Sequence, residues 1–321
     1  MGRSARSPGV EIAMASTNPT LPISTVPIEE IPSGAPGRTF GDRMAPLVAN
    51  KLALFGGVLT LGFFVVAVLG AVVLLRGDLH YLYLDQNLRG TLKHPGDGSL
   101  LGTDNLGRSM FWRLIAGTAV SLWAGIAVTA ISMTIGLILG SVAGYTRGWT
   151  DRIISALIDL TWGFPLILVA VIFVGMLEPG LTAVIVAISV VNWAGYARIV
   201  RAQVLTLKER AFIEAARSLG VPTWKIILVH LVPNMLGTML VMASYYIAVT
   251  VIAEAGMSFI GLGAQPPTPS LGQMVSEGRK FLSKDPWIVA LPGVMIALLV
   301  LALNTLGDGL RDIFDPRLRR W

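Results

Sequence analysis

Residues 206–234, TLKERAFIEAARSLGVPTWKIILVHLVPN, form a polar interruption between two long apolar blocks, and the rest of the chain is organised around it. Thr206 followed three residues later by Glu209 has the pattern of a capping box, in which hydroxyl and carboxylate satisfy backbone N–H groups left over at a helix start. This predicts a helix from about residue 207 with Phe212, Ala216 and Leu219 on its apolar face, stopped by Gly220 and Pro222. Thr223 then caps a second helix whose Trp224, Ile227, Leu228 and Leu231 recur at i, i+3, i+4 and i+7. Pro233 opens the element after it. The expected result is a compact helical elbow at a membrane surface.

The composition says why a membrane is expected. Of 321 residues, 54% are hydrophobic and 14% charged, whereas soluble domains carry about 25% charged residues. A spanning helix needs roughly 20 predominantly apolar residues. Six stretches approach that, at about 52–75, 114–144, 153–177, 181–200, 235–256 and 288–307. Residues 1–37 are rich in Ser, Pro, Thr and Gly with no apolar run, so the first 48 residues read as a disordered tail and 49–321 as the membrane domain. The first apolar segment begins only near Leu52 and is as long as a spanning helix, which argues against a cleaved secretory signal. Segments 1–51, 145–152, 198–225 and 311–320 hold five, two, six and four Lys and Arg, which places both termini and the elbow in the cytoplasm by the positive-inside rule.

The net charge of +6 is spread through short loops with no basic helix, so nucleic acid is not an expected partner. The chain has no cysteine, which excludes disulfides and a thiolate nucleophile or ligand. His80, His94 and His230 show no second ligand at metal spacing, and neither a phosphate-binding loop nor a nucleophile-base set is visible. A catalytic centre and a metal site are therefore not expected.

Within the spans, Gly117, Ser121 and Gly125, then Gly136, Gly140 and Gly144, form two ladders of small residues at four-residue spacing that admit close helix approach, inside the chain or to another subunit. Asp159 in the third span should face protein or water rather than lipid. It either lines or gates a path or packs against Arg198 or Arg201, and Pro165 nearby is a candidate kink. Glu254 lies toward the end of the fifth span, where an interfacial position competes with a role in a path. Asn192 and Asn304 read first as interhelical hydrogen-bond partners, with ligand contact as the other reading. Trp112, Trp149 and Trp287 flank spans as interfacial anchors. Gln265–Pro269 is a stiff turn, read either as a docking surface for an external protein or as plain loop rigidity.

Glu214-Ala215-Ala216, three residues, Gly220, nine residues and His230-Leu231-Val232-Pro233 together resemble the EAA loop of ABC-importer permeases, with His230 and Val232 where Ile and Leu are usual. The resemblance covers roughly residues 50–316 and is greatest to the second permease subunit of dipeptide and oligopeptide importers. It is carried also by Leu101-Gly102-Thr103-Asp104-Asn105-Leu106-Gly107-Arg108, Gly195-Tyr196-Ala197-Arg198, Ser258-Phe259-Ile260-Gly261-Leu262-Gly263, Gln265-Pro266-Pro267-Thr268-Pro269-Ser270 and Gly307-Asp308-Gly309-Leu310-Arg311-Asp312. Ser109 stands where Asp is usual, and Gly96–Leu100 is an extra run.

What the resemblance implies is an all-α membrane protein with six transmembrane helices in the type I ABC-importer permease fold. It implies a bacterial or archaeal plasma membrane and a complex with a homologous second permease, two cytoplasmic ABC ATPases and an extracytoplasmic peptide-binding protein. ATP and Mg would be bound by the ATPases and no cofactor by this chain. The resemblance assigns ATPase coupling to Glu214, Ala215, Ala216, Leu219, Gly220, Val221 and Pro222. Ala215 and Ala216 would permit close approach of the partner, Gly220 the turn, and Glu214 either a charged contact or an internal tie. The alternative cargo is a nickel chelate or another small solute. A secondary carrier would need an internal inverted repeat, and none is evident.

Overall fold

The computed structural model describes residues 51–314; the expected tail at 1–48 lies outside the described residues. The described part is helical. It comprises α1 (Lys51–Leu75), α2 (Met110–Thr146), α3 (Gly148–Trp162), α4 (Leu166–Leu177), α5 (Leu181–Leu207), α6 (Ala211–Ser218), α7 (Thr223–Phe259), α8 (Leu271–Gly278) and α9 (Trp287–Phe314). Five of these are long and apolar enough to cross a membrane, and the bent pair α3 and α4 makes up to six. At 1.5 Å per residue the 37 residues of α2 extend about 55 Å, well past the ~30 Å hydrocarbon layer, so α2 carries its ends into polar surroundings.

Both small-residue ladders serve contacts inside the chain. A Cβ on Gly140 would lie 2.5 Å from the carbonyl oxygen of Ala197, one on Gly144 2.8 Å from Val204 Cβ, and one on Gly136 would overlap Tyr196. The second ladder is thus the seat of α5. The first meets α7 and α8, since a Cβ on Gly125 would lie 3.1 Å from Ile247 and one on Gly117 3.4 Å from Leu271. With no hydrophobic driving force between helices in lipid, the van der Waals packing that such close approach allows is one source of helix cohesion, beside interhelical hydrogen bonds.

The third apolar stretch is not one helix, as 153–177 suggested, but two bent by 91°. Pro165 supplies no N–H and disfavours helical backbone at Phe164, while the Gly163 N–H closes α3 onto the carbonyls of Asp159 and Leu160. What reads as a kink is a break.

The elbow also departs from its predicted boundaries. Helix α5 runs through Thr206, whose hydroxyl donates back to the Ala202 carbonyl at 3.2 Å rather than capping anything, and α6 starts at Ala211 after Arg210. Glu209 pairs instead with Arg147 at 3.1 Å. The stop at Gly220 holds. Gly220 takes φ +74°, its N–H bonds the Arg217 carbonyl at 3.0 Å, and the Val221 N–H bonds the Ala216 carbonyl at 3.1 Å, a Schellman closure that an L side chain would strain.

The second short helix is continuous with the fifth span, joined through a π turn over Ile226–Leu231. The cause lies at Pro233, which has no N–H to return to the Val229 carbonyl, so the turn before it widens. Widening changes which residues align: Ile226 and Leu231, five apart, are buried, while Trp224 and Leu228 are exposed. Ile226 and Leu231 join Tyr196, Val200, Val204, Ile213, Ala216 and Met235 in one apolar cluster that roots the elbow in α5 and α7.

At the opposite end of α2 sits a buried charge cluster. Asp104 accepts from the Arg108 guanidinium at 2.6 Å and from Arg113, and both arginines reach Glu277 on α8, at 3.1 and 3.0 Å. Asp104 also takes the N–H groups of Leu106 and Arg108, at 2.8 and 2.9 Å, so the 101–109 segment is folded around its carboxylate.

Candidate functional site: the elbow and a polar cleft

The elbow faces outward with an apolar surface. Leu219 is 83% exposed, Trp224 64% and Phe212 44%, and Glu214, Ala215 and Pro222 are exposed beside them. Phe212 and Leu219, expected on the buried face of α6, are therefore on its open face; Ile213 and Ala216 are buried in their place. Ala216 and the half-buried Val221 belong to the core beneath the elbow, so of the two alanines only Ala215 can be approached by a partner.

Behind this surface a cleft of about 460 Å³ is lined by Arg147, Lys208, Glu209, Glu214 and Arg217. Lys208 is buried, with Nζ 2.5 Å from the Gly144 carbonyl and 3.4 Å from that of Tyr145, a cation on the unpaired carbonyls at the end of α2. Burial holds its pKa below the usual lysine value, and Arg147 pushes the same way. Glu214 rims this basic cleft, a setting compatible with either of its two expected roles.

The three path candidates have separate partners. Asp159 accepts from Arg198 at 2.8 Å, and the same guanidinium lies 4.2 Å from the centre of the Trp162 ring. Arg201 is taken by Asp151 at 2.8 Å, a carboxylate that sequence reading passed over. Asn192 donates to Thr250 at 3.5 Å, tying α5 to α7. Glu254 lies inside the helix bundle. It is fully buried and accepts from Ser121 on α2 at 2.7 Å and Ser258 on α7 at 2.6 Å, where it knits helices together. With Asp159 and Arg198 72% and 46% exposed, their ion pair is worth at most about 1 kcal/mol. Asp159→Asn is accordingly expected to shift unfolding of the purified protein by less than about 1 kcal/mol; a larger loss in a denaturation titration would show the pair to be desolvated.

A second cleft, of about 530 Å³, opens between α5, α7 and α9. Ile199, Tyr245 and Tyr246 form its apolar wall, and Asn304, Asp308 and Arg311 its polar one. These last three are exposed at four- and three-residue spacing, one face of α9.

Residues 136–320 match the family model described as the binding-protein-dependent transport system inner membrane component. The chain belongs to this family. The permease is 35% identical to the dipeptide transport system permease protein DppC of Alkalihalophilus pseudofirmus, over 93% of this chain and 95% of that one. It is 42% identical to the glutathione transport system permease protein GsiD of Pectobacterium atrosepticum, over 70% and 75%. In structure it resembles a chain of the inward-facing MetNI methionine ABC transporter with a TM-score of 0.53 at 23% identity, covering 64% of this chain and 97% of that one, a likeness of fold. It is thus a non-catalytic ABC-transporter permease, multi-pass in the inner membrane.

Sequence reading missed Asp308, Arg311 and the paired tyrosines as cleft residues. The signal available was the polar stripe at 304, 308 and 311 closing an otherwise apolar helix; the signal lacking was which helices it would face.

Proposed function

We propose that this permease forms half of a translocation path for short peptides in an ATP-driven importer, with the elbow as the handle that cytoplasmic ATPase subunits move. The observation that carries the proposal is the exposed apolar surface of Phe212, Leu219 and Trp224 on an elbow whose underside is locked into the helix core. Exposed apolar groups gathered in one place mark a surface for a protein partner, and a rigid base lets movement there be passed on as rigid-body rocking. In this reading Glu214, Ala215, Leu219 and Pro222 meet the partner, while Ala216, Gly220 and Val221 hold the shape presented to it.

The rest of the assembly follows from the same reading: a homologous second permease completes the path, two ATPases bind ATP and Mg, and an extracytoplasmic binding protein delivers cargo. The termini and elbow are cytoplasmic, as the distribution of Lys and Arg supports. Peptide cargo is supported by relatives named for dipeptide, oligopeptide and glutathione transport.

The decisive test is Leu219→Asp in the complete complex. Because Leu219 is 83% exposed, folding is expected to be unchanged, while ATP-dependent dipeptide uptake into proteoliposomes falls more than about 10-fold as a charge is placed in an apolar contact. Undiminished uptake by a variant of normal assembly would remove the handle.

A further inference from the structure

The cleft between α5, α7 and α9 has a chemistry that coupling does not use. Asp308 and Arg311 sit one turn apart on α9, with side chains exposed, and no ion pair joins either to another described residue. Their charges are thus available to something else. Carboxylate and guanidinium three positions apart on a helix present a separation of about 5–6 Å between their Cβ atoms, within reach of both ends of a small zwitterion. Tyr245 and Tyr246 stand opposite, ring centroids 5.6 Å apart and nearly perpendicular, and an aromatic face attracts an ammonium group. Asn304 adds an amide that can both donate and accept, suited to a peptide bond. The cleft volume of about 530 Å³ falls within the 300–1,000 Å³ usual for small-molecule sites.

Lipid is a poor neighbour for this face. An exposed stripe of Asn, Asp and Arg on a spanning helix belongs against water or protein, since a charge set in hydrocarbon is strongly disfavoured. The cleft also lies toward the elbow end of the bundle, because Asp308 and Arg311 are in the last two turns of α9 and α9 packs on α7.

Resting on the peptide-import reading, we propose that this cleft is an exit-side recognition site for zwitterionic cargo, in which Asp308 receives the α-ammonium and Arg311 the α-carboxylate of a short peptide. The site meets cargo on the elbow side of the path, after the binding protein has released it. It reads the two termini and leaves the side chains unread. The same pairing of ammonium and anionic oxygen occurs in zwitterionic lipid headgroups, so the source has to be separated by experiment.

The test uses the complete complex in nanodiscs of phosphatidylglycerol alone, without nucleotide, and equilibrium binding of alanyl-alanine, its N-acetyl form and its C-terminal amide. In the unaltered complex each blocked form is expected to bind about 10-fold more weakly than the free dipeptide, the loss of one charge-assisted contact. Arg311→Gln should erase the discrimination against the amide and keep that against the acetyl form; Asp308→Asn should do the reverse. This crossed pattern is one that a merely structural role cannot produce. Discrimination that survives both substitutions, or equal loss of all three ligands in both, overturns the assignment. So does Arg311-dependent binding of phosphatidylethanolamine, measured in parallel nanodiscs that contain it, with no peptide discrimination, which would give the cleft to a lipid headgroup. ATP-dependent dipeptide uptake by the same proteins in proteoliposomes keeps the two readings apart: uptake with discrimination unchanged by the substitutions removes the cleft site alone, whereas an assembled complex that takes up no peptide removes the cargo reading beneath it.

Discussion

Replacing Asp104 with alanine is expected to destabilise the permease by about 3–5 kcal/mol, the cost of removing one partner from a buried ion pair. Asp104, Arg108 and Arg113 have side chains only 2%, 8% and 4% exposed, so the change strands two guanidinium groups where water cannot replace the carboxylate. Glu277, at 27% exposure, retains its contacts to both arginines but cannot reach the N–H groups of Leu106 and Arg108 that Asp104 accepts. Asp104→Asn keeps an acceptor for those N–H groups and drops the charge, so it should fall between the two. A detergent-denaturant titration of the purified protein measures the difference. Stability within about 0.5 kcal/mol of the unaltered chain would mean that the arginines are solvated and that α8 is held by its other contacts to α2, α7 and α9.

The second large effect is expected at the α2–α5 seam. Gly140→Leu puts a branched side chain where even a Cβ would lie 2.5 Å from the Ala197 carbonyl oxygen and 2.9 Å from Val200 Cβ. A flexible side chain could swing aside from such an intrusion, but a helix backbone cannot. The helices must part along the ladder, and such overpacking typically costs about 1–3 kcal/mol. Size-exclusion profiles and thermal melting of the solubilised complex should show the variant dispersed or melting earlier. The control Gly62→Ala, where a Cβ meets nothing within 4 Å, should leave both unchanged. A monodisperse Gly140→Leu protein with an unaltered melting profile would show that α2 and α5 approach each other less closely than described.

The two experiments probe opposite ends of one helix. Helix α2 carries the charge cluster near its first turn, the α5 seam along its second half and the lysine-capped carbonyls of Gly144 and Tyr145 at its last turn. On the proposed reading such a spine would carry movement delivered at the elbow, which is otherwise absorbed by local bending.

Much of this was determined by the sequence alone. The apolar stretches placed the spanning helices, the glycine ladders marked where helices touch, and Gly220 with Pro222 marked the end of α6, because these properties depend on a residue and its near neighbours. The EAA-type loop and its companion motifs point to the permease family without any tertiary contact. Tertiary structure decided what local pattern leaves degenerate. On α6 the stripe of Phe212, Ala216 and Leu219 and the stripe through Ile213 and Ala216 are adjacent, and burial went to the one that meets Val200, Val204 and Leu231. Nothing near Glu254 in the chain announces the serines from two helices that close around it, and nothing near Asp104 announces Glu277, 164 positions beyond Arg113, which completes its cluster. The π turn before Pro233 sets which face of α7 supports the elbow. Periodicity records how far each side chain is from the next along a helix; which of two neighbouring faces is covered depends on contacts between segments far apart in the chain, and those exist only once the helices have packed.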